Sequence, residues 1–142
     1  MSAVVVDASM ALSLVYQDES SVHMEEILTA TRDGTLTLLT PEHWHLEIAS
    51  SLQRGARRKR IPAGARAPSF ALLTQLPIVV VPGIPPAAEL FALADAASLS
   101  IYDALYLSLA LREQALVATA DTALAGAATK RGILWKSQGR RR

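Results

Sequence analysis

The chain has 142 residues, 51% of them hydrophobic, which bounds it to one domain with a substantial buried core. It has no cysteine, which excludes disulfides and thiolate zinc sites and fits a reducing, cytoplasmic setting. A net charge of +1 excludes a globally basic nucleic-acid binder, although five basic residues gather in "RGARRKR" (54–60) and the chain ends "GRRR".

The opening stretch "MSAVVVDASMALSLVY" has no basic residue ahead of its apolar run, and Asp7 interrupts that run. It reads as mature structure rather than as a signal peptide. No uninterrupted apolar run approaches ~18 residues, so no membrane span is expected. "AVVVD" (3–7) predicts a strand buried on both faces, and "ASMALSLVY" a helix with Ser9 near its start. "ESSVHMEEILTATRDG" (19–34) predicts a helix capped by Ser20 or Ser21 and ended by Gly34. "TLTLLT" (35–40) predicts a strand. "PEHWHLEIASSLQRGARRKR" (41–60) predicts a long helix with Pro41 in its first turn and an apolar stripe of Trp44, Ile48 and Leu52.

Further along, "PAGARAPSFALLTQL" (62–76) predicts a helix, "PIVVVPG" (77–83) a strand and "PPAAELFALADAASL" (85–99) a helix. "SIYDALYLSLA" (100–110) predicts another helix, "ALVATAD" (115–121) a strand, "TALAGAATKRG" (122–132) a helix closed by Gly132, and "ILW" (133–135) a last short strand. Strands alternating with helices predict an α/β domain with a parallel sheet covered by helices on both faces. A single domain over residues 1–136 is expected, with 137–142 as a disordered basic tail.

Four acids stand out because they interrupt apolar stretches. Asp103 shares a helical face with Tyr106, Leu107 and Ala110, at spacings of three, four and seven. An isolated buried carboxylate is costly, so it needs a proton, a cation or a metal. Asp7 and Asp121 fall where a strand hands over to a helix, beyond the carboxyl ends at which parallel sheets bind ligands. Each also has an ordinary reading as a helix N-cap. Glu47 lies one position off the Trp44–Ile48–Leu52 stripe, where a surface glutamate is the ordinary reading. If the four converge, each contacting pair repels by ~4 kcal/mol at an effective dielectric near 20. A hard divalent cation neutralises such a cluster, and an oxygen-only ligand set favours Mg2+ or Mn2+.

The stretches "VVVDASMAL", "PEHWHLEIASSL", "LSIYDALYLSLAL" and "LVATADTAL", in this order over nearly the whole chain, resemble the PIN-domain family, and within it the VapC-type toxins of bacterial toxin–antitoxin pairs. The resemblance implies a three-layer α/β/α sandwich with a central parallel sheet and a metal-dependent ribonuclease. Asp7 matches the first-strand acid, Glu47 the acid of the long helix, Asp103 the "YDA" acid and Asp121 the "TAD" acid. Ser9 and Thr119 match the small polar positions that flank the metal site. Where the family often has an Asn after "LEVA", this chain has Ser50 and Ser51. The resemblance also implies an RNA substrate, a homodimer and a cognate antitoxin whose tail lays an Arg over the acidic site.

Arg54, Arg57, Arg58, Lys59 and Arg60 are candidates for RNA phosphate contacts, against the plainer reading of a solvated helix end. His43 and His45, flanking Trp44, read as packing or surface residues. Three other readings compete: a PIN-fold protein that binds RNA or a partner without cutting it, a receiver-like phosphoacceptor domain, and a DNA-directed, structure-specific nuclease of the same fold. The second wants an aspartate after the central third strand, where "IVVVPG" has none.

Overall fold

A computed structural model describes residues 2–139. Four strands form one parallel sheet: β1 (Ser2–Val6), β2 (Leu36–Pro41), β3 (Ile78–Val81) and β4 (Leu116–Ala118), in the spatial order β3-β2-β1-β4. The helices are α1 (Ala8–Leu12), α2 (Val22–Arg32), α3 (Trp44–Arg57), α4 (Arg66–Thr74), α5 (Ala87–Ala97), α6 (Ile101–Arg112) and α7 (Thr122–Lys130). Right-handed crossovers explain the layering. The chain steps from β1 to β2 to β3 in one direction, then returns past β1 to β4. Helices α1–α4 therefore cover one face, and α5 and α6 the other. Val4, Val5 and Val6 are wholly buried, as a strand covered on both faces requires.

The three-layer parallel architecture matches the expectation, and the differences have local causes. Pro41 closes β2, in register with Val81, instead of opening the following helix. A proline without an N–H is tolerated at a strand end, and α3 starts three residues later at Trp44. The first helix stops at Leu12 because Ser13 turns its hydroxyl back onto the Met10 carbonyl at 2.6 Å. The segment "ILW" contributes one parallel bridge, Val117 with Leu134, rather than a full strand. Ser137 Oγ donates to Glu26 Oε1 at 2.5 Å and the Gln138 N–H to Glu26 Oε2 at 3.0 Å. Met1 and the "RRR" of the expected tail lie outside the described residues. Among the described residues, no single helix is long and apolar enough to cross a membrane.

One contact fixes how the first connection packs on α3. Tyr16 is buried, donates to the Ser51 carbonyl at 2.7 Å and lies over Gly55. A Cβ at Gly55 would stand 2.5 Å from the Tyr16 hydroxyl and 2.9 Å from its Cε1. The ring is held in place by its hydrogen bond to the Ser51 carbonyl and by the Arg60 guanidinium 3.8 Å over its centroid. Gly55→Ala gains up to ~1 kcal/mol of helix propensity but forces an overpacked contact costing about 1–3 kcal/mol. A lower urea midpoint is therefore expected; an unchanged or raised midpoint would show that Tyr16 yields freely.

Candidate active site

The strand order reverses between β1 and β4. At such a switch point the crevice beyond the strand carboxyl ends stays uncovered, because the two crossovers leave in opposite directions. Asp7 follows β1 there, and Thr119, Ala120 and Asp121 follow β4. Both aspartates are N-caps: Asp7 Oδ1 accepts from the Met10 N–H at 3.0 Å and Asp121 Oδ2 from the Leu124 N–H at 2.9 Å. Capping and facing the crevice are thus compatible, since a cap occupies only part of a carboxylate's acceptor capacity.

A hydroxyl network ties the two corners together. Thr119 Oγ1 donates to Asp7 Oδ2 at 2.5 Å and accepts from the Asp121 N–H at 2.9 Å. Ser9 Oγ lies 2.8 and 2.9 Å from the two Asp7 oxygens and accepts from the Ala120 N–H at 2.9 Å. Asp103 enters from the first turn of α6, whose N-cap Ser100 accepts from the Asp103 N–H at 3.1 Å. Glu47 enters from the first turn of α3. All four acids, with Ser9, line one cavity of about 240 Å³. Thr119 lines the adjoining cavity and donates to Asp7.

The electrostatics record this convergence. Burial raises the Asp7 carboxyl from 3.8 to about 6, although hydrogen bonds from Thr119, the Met10 N–H and Ser9 oppose the rise and Asp103 adds to it. Asp103 is also pushed up, first by burial and then by Asp121 and Glu47. Glu47 goes the other way. Burial pushes it up, but His43 and Tyr106 hold its carboxyl below the usual range. The Tyr106 hydroxyl donates to Glu47 Oε1 at 2.6 Å. His43 Nε2 stands 3.2 Å from the same oxygen, in contact but poorly aligned for a hydrogen bond.

Tyr106 and His43 were not read from the sequence as part of this site. From the sequence His43 reads as packing and Tyr106 only as a neighbour of Asp103, yet Tyr106 hydrogen-bonds Glu47 and His43 stands against it. The available signal was spacing: Tyr106 follows Asp103 by three, and His43 precedes Glu47 by four. Of the basic stretch, Arg54 and Arg60 reach the cavity. Arg60 is already engaged, donating to Asp18 Oδ1 at 2.7 Å and Glu19 Oε2 at 2.9 Å and stacking on Tyr16. Its guanidinium is held further above its ordinary value by those acids. Arg57, Arg58 and Lys59 are exposed and line no part of the cavity. The receiver-like reading is excluded by topology, since β3 is an edge strand and no carboxylate follows it at the crevice.

Among the described residues, no three His, Asp or Glu side chains are gathered tightly enough to enclose an ion by themselves. An all-oxygen set around an open cavity suits Mg2+, which keeps several waters and takes only one or two carboxylates along with substrate phosphate. It does not suit a cation that needs a full protein cage.

Fold and site together define a parallel α/β domain whose working end is an acidic cavity at the sheet's switch point. The PIN domain family model matches residues 4–130, and the chain belongs to that family. PIN domains are typically nucleases and usually use divalent metals. The chain is also similar to a protein of known crystal structure, PAE2754 from Pyrobaculum aerophilum. The TM-score is 0.65 at 22% identity, over 89% of this chain and 79% of that one. That likeness bears on the fold alone. No curated protein matches the chain.

Proposed function

We propose that this chain is a Mg2+- or Mn2+-dependent endoribonuclease and serves as the toxin of a toxin–antitoxin pair. The observation that carries the catalytic part is the convergence of Asp7, Glu47, Asp103 and Asp121, from four separate elements, on one cavity at the switch point. Asp7, Asp103 and Asp121 would hold the metal directly or through water, with Glu47 either ligating or orienting water. When bound, the divalent ion acidifies water and takes up phosphate charge.

The remaining chemistry belongs to the chain itself. Tyr106 donates to Oε1 of Glu47, which orients the carboxylate and leaves Oε2 available to accept a hydrogen bond from an attacking water. Held below the usual range, Glu47 is ionised at neutral pH and a weak base, which suits orienting that water more than taking its proton. Thr119 and Ser9 fix both oxygens of Asp7 and so preset its orientation before any ligand arrives. The same acidic cavity would accept a guanidinium, which supports silencing by an antitoxin Arg on electrostatic grounds. A homodimer and a cytoplasmic site of action belong to this reading through the family resemblance.

The test is incubation of total cellular RNA with the purified chain in Mg2+ or Mn2+, beside EDTA. Discrete fragments that form with metal, vanish with chelator and return on metal re-addition are expected. A folded, metal-supplied chain that cuts no RNA would overturn the catalytic reading in favour of a PIN-fold binder.

A further inference from the structure

The acidic cavity is the middle of three adjoining depressions. On one side it shares Ser9, Glu19 and Asp121 with a polar cavity of about 560 Å³ that runs on to Ser20 and His23. On the other it shares Glu47 and Arg54 with a cavity of about 260 Å³ walled by His43, Leu46 and Tyr102. An extended chain crossing the acids would enter by one flank and leave by the other. The two flanks differ in chemistry: the first is mostly polar, with His23 edge-on to Trp135, and the second carries a face of stacked rings.

That face is built from the elements that carry the acids. Tyr102 precedes Asp103 on α6, and His43 sits one turn before Glu47 at the head of α3. Their rings stack, with centroids 5.8 Å apart and planes 17° from parallel. Tyr102 is 61% exposed and Leu46 74%, so both present apolar surface to solvent directly beside the polar site. His43 is only 7% exposed, yet its Nδ1 has no hydrogen-bond partner. Arg54 stands at the wall common to both cavities, its Nη1 donating to Ser50 Oγ at 2.7 Å. A flat apolar ring surface, a cation one step away and an acid cluster beyond it match, in that order, a base, its backbone phosphate and the reacting phosphate.

We infer that the cavity walled by Tyr102, His43 and Leu46 takes one unpaired nucleobase of an RNA strand, next to the cleaved phosphate, with Arg54 on the intervening backbone. The inference rests on the ribonuclease reading. It restricts the substrate to single-stranded segments, because a base stacked in an A-form helix presents no free face to Tyr102. It also makes Tyr102 a binding residue that acts through affinity rather than chemistry.

The experiment places the fluorescent base 2-aminopurine at successive positions flanking the cut in a short single-stranded RNA. It is mixed with the full chain in Mg2+ under single-turnover conditions, and binding is read as quenching before cleavage. One position should quench strongly. Tyr102→Ala should remove that quench and raise KM roughly 5- to 100-fold with kcat within about twofold, while Tyr102→Phe keeps both. Leu46→Ser should move KM the same way by less. If Tyr102→Ala binds and cuts like the wild type, this inference falls and the ribonuclease reading stands. A loss of kcat at constant KM would also overturn it, making Tyr102 a positioning residue for Asp103. If the wild type neither binds nor cuts RNA, both readings fall. If only an aromatic-bearing protein partner senses Tyr102→Ala, the cavity is a protein dock and the inference is wrong.

Discussion

Asp103→Asn is expected to abolish RNA cleavage and, at the same time, to stabilise the metal-free protein. The substitution keeps size and shape but removes one charge from the acid cluster. Cation stabilisation of a reacting phosphate is worth several kcal/mol, and a loss of ~4 kcal/mol is about a thousandfold in rate. A fall of at least that order in kcat/KM is expected in Mg2+. The stability change follows from the direction of the Asp103 pKa. The α6 dipole favours a carboxylate in its first turn. Burial and the neighbouring charges of Asp121 and Glu47 nevertheless outweigh it, since the pKa is raised. The ionised form is therefore a net cost to the fold, and neutral Asn relieves it. Urea unfolding in EDTA should show a higher midpoint for the variant, and the order should reverse in saturating Mg2+. A variant that cuts normally would remove Asp103 from the catalytic set. One that is inactive and also less stable without metal would make Asp103 a structural ion-pair member instead.

This pairing of opposite effects separates a functional acid from a structural one, and it bears on what could be read from the sequence. Asp7, Asp103 and Asp121 were legible because each violates its surroundings, an acid at the end of a buried strand or on an apolar helix. The strand–helix alternation was legible for the same reason, since periodicity is a local signal. What was not legible depends on a residue's partner. Tyr106 and His43 look apolar or neutral until Glu47 is placed beside them. Arg60 looked like one of five interchangeable cations, but folding back onto Asp18, Glu19 and Tyr16 makes it a clamp.

Helix ends show the same division. Gly34 and Gly132, at φ of 79° and 69°, mark the ends of α2 and α7 as the sequence suggested. Helices α3, α5 and α6 end with the same backbone turn, but Lys59, Ser98 and Gln114 occupy the left-handed position. Each such residue carries a conformational cost of about 1 kcal/mol and gives no sequence signal. The turn at Lys59 is the one that matters for the site. The Arg60 N–H bonds the Gly55 carbonyl at 2.8 Å, which sends the Arg60 side chain back over Tyr16 at the cavity rim instead of out along α3.

The other large effect expected is a loss of stability as pH rises through the mildly acid range, reversed by metal. Asp7 is raised from 3.8 to about 6 in the folded state. For an acid raised on folding, the native state binds the proton more tightly than the unfolded state. Its stabilising contribution is complete below about pH 4 and is lost as pH rises to about 6. At about 1.36 kcal/mol for each pH unit between those values, the loss is of order 3 kcal/mol. Asp103, raised by the same kind of surroundings, adds in the same direction. The lowered acids Glu47, Asp18 and Glu26 have the opposite sign, but their contribution is complete above their unfolded values near 4 to 4.5. They lose it only as pH falls further, so they do not mask the effect between pH 4.5 and 6.5.

A divalent ion changes the slope, because it binds the ionised carboxylates and competes with their protons. At about a hundredfold excess over its dissociation constant it returns ~2.7 kcal/mol, and only where Asp7 is ionised. Urea midpoints in EDTA should therefore fall from pH 4.5 to 6.5 and then level. In excess Mg2+ or Mn2+ they should stay nearly flat, and Asp7→Asn should flatten the EDTA curve while removing most of the metal response. The slope is the readout for that variant rather than its absolute stability, since an amide cannot accept from Met10, Ser9 and Thr119 as the carboxylate does. An EDTA curve that rises over this range, or a metal response indifferent to Asp7, would show that the cavity's charge is balanced from within the protein. Asp7 would then be a helix cap and nothing more.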